Sequence, residues 1–201
     1  MKVALVHDYL NQEGGAEKVL KVLQEIYPQA PIYTLIYDKE KLGNTFDARK
    51  IRPSFIQNLP LGKRFFRWFL LLMPMATERY DLFDYDVVIS SSSAFAKGII
   101  TRPETKHICY CHTPTRYLWS YTKNYIEELS YNKLIKKIVP YFLTRLRLWD
   151  RLAADRVDFF IANSKIVQKR IKKYYYRESD LFIRQWKPIS LRLVKSWVII
   201  I

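Results

Sequence analysis

Residues 3–37, VALVHDYLNQEGGAEKVLKVLQEIYPQAPIYTLIY, decide the fold class. The aliphatic run Val3–Val6 is typical of a strand buried on both faces of a parallel sheet. A polar loop, His7–Gly15, follows, and apolar residues then recur at helical spacing until Pro28 ends the helix. Ile32–Tyr37 is rich in β-branched and aromatic residues and predicts a second strand. Strand, helix and strand in this order form one right-handed βαβ unit.

The same alternation continues along the chain. Buried strands are predicted at Asp86–Ser90, Lys106–His112 and Val157–Ala162, and a helix is predicted from Lys165 to about residue 174. A short strand at Ile51–Ile56 is restricted to an edge or a bulge, because it contains a proline. The sequence therefore predicts an α/β, Rossmann-like domain with five or six mostly parallel strands and helices on both faces.

The composition is that of a globular protein with a basic surface. The 201 residues are 49% hydrophobic and 26% charged, which provides a core and excludes a disordered chain. Lys and Arg number 34 against 19 Asp and Glu, for a formal net charge of +15. That excess favours an anionic partner, such as a phosphate, a nucleic acid or an acidic membrane.

Neither an export signal nor a membrane-spanning segment is predicted. His7 follows Val3–Val6 too early for the apolar region of a signal peptide, and Trp68–Met73 is far shorter than the ~20 residues of a spanning helix. Adjacent side chains of a strand point to opposite faces, so Cys109 and Cys111 are not expected to pair, and a reducing compartment fits. We expect a cytoplasmic protein, free or bound to the inner face of the cytoplasmic membrane.

The glycine pair Gly14–Gly15 opens the first helix directly after the first strand. Paired glycines let a ligand approach the backbone, and unpaired amides at a helix start favour a phosphate. The alternative is a tight turn with Glu17 stabilising the first helical turn. No third glycine completes a dinucleotide fingerprint and no Gly-Lys-Ser/Thr follows, which excludes common dehydrogenases and P-loop NTPases.

His112 ends a predicted strand beside Thr113-Pro114, where the ligand edge of a parallel sheet lies. It can donate to a sugar hydroxyl or stabilise developing charge, or else be a structural histidine bonded to the backbone. Cys109 and Cys111 lack a second ligand pair, so no metal site is expected. Ser164 is most simply the N-cap of the helix that follows it.

Three segments together resemble glycosyltransferase family 4. Residues 2–20 resemble the start of that family, and Cys111–Trp119 resembles a loop of its bacterial polysaccharide mannosyltransferase-like members. Ala154–Ser164 resembles the segment that closes the family's N-terminal domain. The resemblance covers roughly residues 1–180, in the right order.

The resemblance implies the N-terminal, acceptor-side half of a GT-B enzyme. Such enzymes transfer a sugar from a nucleotide-sugar with retention, usually without a metal or other cofactor, here to a lipid-linked or polysaccharide acceptor, with mannose favoured. By resemblance, Gly14 and Gly15 reach the donor diphosphate and His112 lies near the reacting sugar. The remaining candidates for the cleft or the acceptor site are Asp8, Glu17, Thr113, Arg116 and Ser164.

Residues 181–201 depart from the family. This segment is apolar and basic, contains no acidic residue and no glycine, and does not resemble the linker to a second domain. We interpret it as the result of a frameshift or a premature end, in which case the chain alone is expected to be inactive. The alternative is a genuine tail that packs on the sheet or touches lipid.

A second hypothesis is a non-catalytic binding module for an anionic membrane or another polyanion. Lys63–Leu72 is a basic and aromatic stretch that is predicted to be helical and to end before Pro74. Asn132–Arg156 is a basic amphipathic segment that Pro140 is expected to interrupt. No nucleic-acid motif is present, so no specific nucleic-acid partner is expected.

Overall fold

The computed structural model describes residues 1–60, 63, 66–128 and 132–182, apart from the side chain of Arg67. Its seven strands are β1 (Val3–Leu10), β2 (Ile32–Tyr37), β3 (Ile51–Pro53), β4 (Val87–Ser92), β5 (Lys106–Cys111), β6 (Phe159–Ala162) and β7 (Asp180–Leu181). They form one sheet in the order β3-β2-β1-β4-β5-β6-β7, and every pairing is parallel. The predicted Rossmann-like class is confirmed, with more strands than expected.

Seven α-helices connect the strands within the described residues. They are α1 (Gly15–Ile26), α2 (Lys39–Leu42), α3 (Met73–Glu78), α4 (Arg116–Trp119), α5 (Thr122–Glu128), α6 (Lys133–Ala153) and α7 (Lys165–Tyr175). Short 3-10 helices add to them at Ala48–Lys50, Phe55–Asn58, Phe66–Leu72, Ala96–Gly98 and Ala154–Arg156. None of these described helices is long and apolar enough to cross a bilayer.

The core has two sides because side chains alternate along each strand. On one face, Leu5 packs with α1 residues such as Leu20 in the first apolar cluster. On the other face, Val6 and Val88 pack beneath the 3-10 helix Ala96–Gly98, while α3, α6 and α7 cover the neighbouring clusters. The two faces of the sheet thus carry separate sets of helices.

The strand order places a topological switch between β1 and β4. From β1 the chain moves outward to β2 and β3, then returns to β4 on the other side of β1. In open parallel sheets, ligands bind in the crevice beyond the strand ends at such a point. The fold therefore indicates the end of β1 and β4 as the place to look for a site.

β1 and β7 are not as the sequence predicts. β1 extends to Leu10 and takes in His7 and Asp8, which were expected in a loop. The polar residues at the end of β1 do not show the apolar pattern of a buried strand, because their burial depends on partners from β4 and α1. β7 consists of Asp180–Leu181 alone and is too short to leave a periodic pattern.

Two helical expectations also need correction. Pro140 does not interrupt α6, which continues to Ala153. The proline is exposed, so solvent can serve the carbonyl that loses its amide partner. The segment expected to be a loop between Asp38 and Arg52 contains α2 and a 3-10 turn.

The first predicted basic stretch is described only in part. Phe66–Leu72 is a 3-10 helix, and Pro74 lies in the first turn of α3, where its missing amide costs little. Arg64 and Phe65 lie outside the described residues, as do the tail residues 183–201.

Cys109 and Cys111 lie on the same face of β5, since one residue separates them, so the expectation of opposite faces was wrong. Both cysteines are buried and neither is in a disulfide, as the sequence analysis expected.

Candidate active site

Three polar side chains meet where β1, β4 and β5 end. His7 on β1 is in register with Ser91 on β4, and the amide of His112 continues the β5 ladder by donating to the Ser92 carbonyl at 2.8 Å. His7, Ser91 and His112 continue the alternation that places Leu5 and Ile89 on the α1 side of the sheet. The ends of three strands therefore present these residues on one face, at the switch point.

His112 is held by Ser91, with 2.8 Å between Nε2 of the ring and Oγ of the serine. Burial, reinforced by the neighbouring His7, lowers the pKa of His112 to about 4. The ring is therefore neutral at pH 7 and can donate or accept a hydrogen bond. The sequence predicted the strand-end position of His112 but not Ser91, although Ser91 stands in a conspicuous run of serines at the end of β4.

Gly14 and Gly15 have different reasons to be glycine. A Cβ on Gly14 would lie 2.8 Å from Oε2 of Glu17, so a side chain there would displace that carboxylate. A Cβ on Gly15 would meet nothing within 4 Å, which leaves open space over the first turn of α1. Gly14 thus leaves room for the Glu17 carboxylate, and Gly15 leaves the start of α1 accessible.

Glu17 turns back toward β1 and lies beside His7, with 3.6 Å between Oε1 and Nε2. Both side chains are buried. Burial acts to raise the pKa of Glu17, but the His7 imidazole and backbone amides outweigh it and hold that pKa below its ordinary value.

The electrostatic field at His112 includes both His7 and Glu17. Glu17, in the first turn of α1 beside Gly14, and His112, after the end of β5, therefore lie near each other. His7 was not singled out by the sequence analysis, and its position directly after the aliphatic run Val3–Val6 is the signal that could have found it.

Asp8 is an anchor rather than an open cleft residue. Its carboxylate is buried and accepts four backbone N–H groups, from Ser93, Ala94, Phe95 and Ala96, at 2.5–2.9 Å. Both oxygens are fully used, so Asp8 fixes the segment after β4 against the end of β1.

The remaining predicted residues lie around the same edge. Ser164 caps α7 by accepting from the Val167 amide at 3.3 Å, as expected. Thr113 accepts a hydrogen bond from Arg170 at 3.3 Å. Arg116 is exposed at the start of α4 and lies over the Tyr121 ring. Arg170, which the sequence analysis did not name, thus adds a cation beside the loop that follows His112.

A buried ion pair supports this loop from the other side of the sheet. Lys97 and Asp150 are both almost fully buried, and Nζ of the lysine lies 2.5 Å from Oδ1 of the aspartate. Asp150 also accepts hydrogen bonds from Thr115, Trp119 and Tyr175 at 2.6–2.9 Å. This network joins α4, α6 and α7 behind the site, and nothing in the sequence pattern predicted it.

His107 forms a second histidine–serine pair on the opposite face of the sheet. Its Nε2 lies 2.8 Å from Oγ of Ser90, and the side chain is fully buried. Burial lowers the pKa of His107 to about 4 despite the opposing charge of Asp158. His107 therefore resembles His112 in its serine partner and its lowered pKa, but it does not lie at the switch point.

Acidification is expected to destabilise the fold through these two rings. The folded-state pKa is about 4 and the ordinary value is 6.5, so the unfolded chain takes up protons first as the pH falls through 6.5. His107 alone should lower the free energy of unfolding by about 2 kcal/mol between pH 7 and pH 5, and His112 acts in the same direction. Urea unfolding at pH 7, 6 and 5 measures this loss. A variant His107→Gln should flatten the profile, and equal stability at pH 7 and pH 5 would contradict the expectation.

The sequence model of Glycosyltransferase Family 4 matches residues 14–183, which is well over half of the chain. The chain belongs to glycosyltransferase family 4. The matched span begins at the glycine turn and includes Ser91, the loop after His112 and the start of α7, whereas His7 precedes it. A comparison with curated proteins finds no match.

Among solved structures, this family 4 domain is similar to HepE from Anabaena, whose crystal structure contains UDP. The TM-score is 0.52 at 15% sequence identity, and the match covers 98% of this chain and 50% of HepE. The chain therefore spans about half the length of that structure and shares its Rossmann-like, GT-B type of domain.

Proposed function

We propose that this domain is the acceptor-side half of a retaining glycosyltransferase that transfers a hexose, with mannose favoured, from a nucleotide-sugar. The acceptor is a lipid-linked glycan or a polysaccharide. The chemistry proceeds without a metal or other cofactor. Membership in glycosyltransferase family 4 supports sugar transfer, and the UDP bound by HepE supports a nucleotide-sugar donor.

Gly14–Gly15 and His112 follow the carboxyl ends of β1 and β5, on either side of β4, and this placement supports the proposal. The start of α1 offers backbone amides and a partial positive charge to a diphosphate. Gly15 leaves that start open, since no atom lies within 4 Å of the place where its Cβ would be. Glu17 lies next to this position and contacts His7, with 3.6 Å between Oε1 and Nε2.

His112 is suited to the reacting sugar. A neutral imidazole held by Ser91 has one nitrogen committed to the serine, and its other nitrogen can serve a hydroxyl or stabilise developing charge. Because Ser91 and the loop after His112 fix the ring, little reorganisation is needed when the sugar binds. A membrane or polyanion binding module would need neither this histidine nor the glycine turn.

Three side chains near the loop after His112 are proposed to face the acceptor: Thr113, Arg116 and Arg170. Arg116 is exposed and Arg170 bonds to Thr113, so two cations accompany the loop that follows His112. Cations at this edge suit an acceptor that carries phosphate groups, as a lipid-linked glycan does.

The variant His112→Ala tests the proposal in a full-length enzyme that contains this domain. We expect kcat to fall by about 10²–10³-fold, with a smaller change in KM for the donor, because the lost contact is strongest in the transition state. Transfer is measured with radiolabelled UDP- and GDP-hexoses and lipid acceptors, and NMR of the product gives the anomeric configuration. The 201-residue chain alone should transfer little sugar, because the domain supplies only the acceptor side.

The matched control is His107→Gln, which removes the other serine-bonded histidine. It should cost stability and leave kcat near the wild-type value at neutral pH. If His112→Ala transfers sugar as fast as this control, His112 has no part in the reaction. An inverted product would overturn the retaining assignment.

A further inference from the structure

The solvent-facing side of α6 is unusually apolar. Six positions of α6 follow each other at intervals of four and three residues and therefore share one side of the helix: 134, 138, 141, 145, 148 and 152. Five of them are large apolar or aromatic side chains, and all five are more than half exposed: Leu134, Ile138, Tyr141, Leu148 and Leu152. We call these six positions the outer face of α6.

The outer face does not contribute to the core. The opposite side of the same helix buries Leu143, Leu146, Asp150 and Ala153 against the body of the domain. A surface helix of a globular protein normally presents polar residues to solvent. The outer face of α6 therefore exposes apolar area that folding of this domain does not require.

Positive charge accompanies this apolar stripe. Arg145 lies within it and is packed over the Tyr141 ring, 5.4 Å from the centroid. Lys133 and Lys137 lie beside it, and both are exposed. The only acidic residue of α6 is Asp150, which is buried on the other side and paired with Lys97. The outer face is thus apolar and cationic, with no exposed carboxylate of its own helix.

A neighbouring segment extends the exposed apolar surface. Trp68, Leu71 and Met75 are 68%, 48% and 44% exposed. This segment and α6 cover the same apolar cluster and are joined by a hydrogen bond of 2.8 Å from Nε1 of Trp149 to Glu78. Two adjacent elements therefore leave large hydrophobic side chains in solvent.

We propose that the outer face of α6 docks on an anionic lipid bilayer. A helix with apolar residues on one side, cations along its border and no exposed acid of its own is suited to lie in the plane of the headgroups. Leucine and isoleucine side chains enter the acyl boundary, Tyr141 stays near the headgroups, and the cations attract anionic lipid. The charge selects lipid over an ordinary protein partner, since a protein would have to supply a matching acidic surface. This docking is independent of sugar transfer.

The variant Leu134→Glu/Leu148→Glu tests the proposal by cosedimentation of the 201-residue chain with vesicles. The wild type should bind vesicles of equimolar phosphatidylcholine and phosphatidylglycerol, bind pure phosphatidylcholine much more weakly, and lose binding as salt is added. The variant should lower the partition coefficient at least about tenfold, because two apolar side chains that enter the bilayer on docking become charged. The matched control is Phe83→Glu/Ile100→Glu, which adds the same charge at two other exposed apolar positions and should change binding by less than about twofold.

Circular dichroism establishes that both variants remain folded. Equal binding of the wild type to neutral and anionic vesicles would overturn the proposal, and so would a Leu134→Glu/Leu148→Glu variant that still binds. If instead the wild type dimerises, the variant is monomeric and no vesicle binding occurs, the outer face is a contact between copies of this chain and the lipid assignment is wrong.

Discussion

Asp150→Asn is expected to lower the free energy of unfolding by about 3–5 kcal/mol, the cost of leaving a buried cation without its counter-charge. Lys97 and Asp150 are 2% and 1% exposed, so water cannot replace the lost carboxylate. The Lys97 ammonium would have only neutral acceptors, the Ala94 carbonyl at 2.6 Å and one side-chain amide oxygen, beside the rings of Trp149 and Tyr175. Denaturant unfolding followed by tryptophan fluorescence measures the loss.

The double variant Lys97→Met/Asp150→Asn separates charge from packing. Because the uncompensated cation is gone, the double variant should be more stable than Asp150→Asn alone, by at least about half of the single-variant loss. A single-variant loss below about 1 kcal/mol would contradict the dependence of Lys97 on Asp150.

Asp8→Asn is the second replacement with a large expected effect. The carboxylate accepts four backbone amides, two on each oxygen, and the amide group of asparagine presents a donor where two of them need an acceptor. Removing acceptors from buried N–H groups costs about 1–3 kcal/mol each, so we expect a loss of about 3 kcal/mol or more. The same unfolding measurement checks it.

Asp38→Asn is the matched control, since Asp38 also accepts two backbone amides, those of Glu40 and Lys41, but near the surface. Asparagine is nearly as good a cap there, so the loss should stay below about 1 kcal/mol. Equal losses for Asp8→Asn and Asp38→Asn would show that burial of the Asp8 carboxylate is unimportant.

These two carboxylates also connect the stability of the fold to the geometry of the crevice. Asp8 fixes the segment that follows β4, and Lys97 comes at the end of that segment. Asp150 then holds Thr115, in the loop that carries His112 into α4. Damage at either carboxylate should therefore loosen the loop beside His112, although neither side chain lies in the crevice.

The predicted candidates divide into two groups in the structure. Gly14 and Gly15 follow β1 and His112 follows β5, so all three lie at the carboxyl edge of the sheet, and Ser164 caps its helix. Asp8 and Glu17 are both buried; Asp8 accepts backbone amides, and Glu17 lies beside His7. A role of Glu17 at the acceptor stays a prediction of the resemblance, whereas the Asp8 carboxylate is already used by four backbone amides.

The sequence by itself determined the α/β class, the parallel strands and the strand-end positions of the glycine turn and His112. These follow from local patterns, because apolar runs, helical spacing and proline positions act over a few residues at a time. The family resemblance likewise depends on short contiguous segments.

Only the tertiary structure decided which polar residues are partners. His112 and its partner Ser91 are 21 positions apart, and Lys97 and Asp150 are 53 positions apart. Asp8 and the amides after β4 are more than 80 positions apart. Such pairs leave no periodic trace, because the benefit of each polar group arises only when distant strands and helices bring its partner into the same buried space.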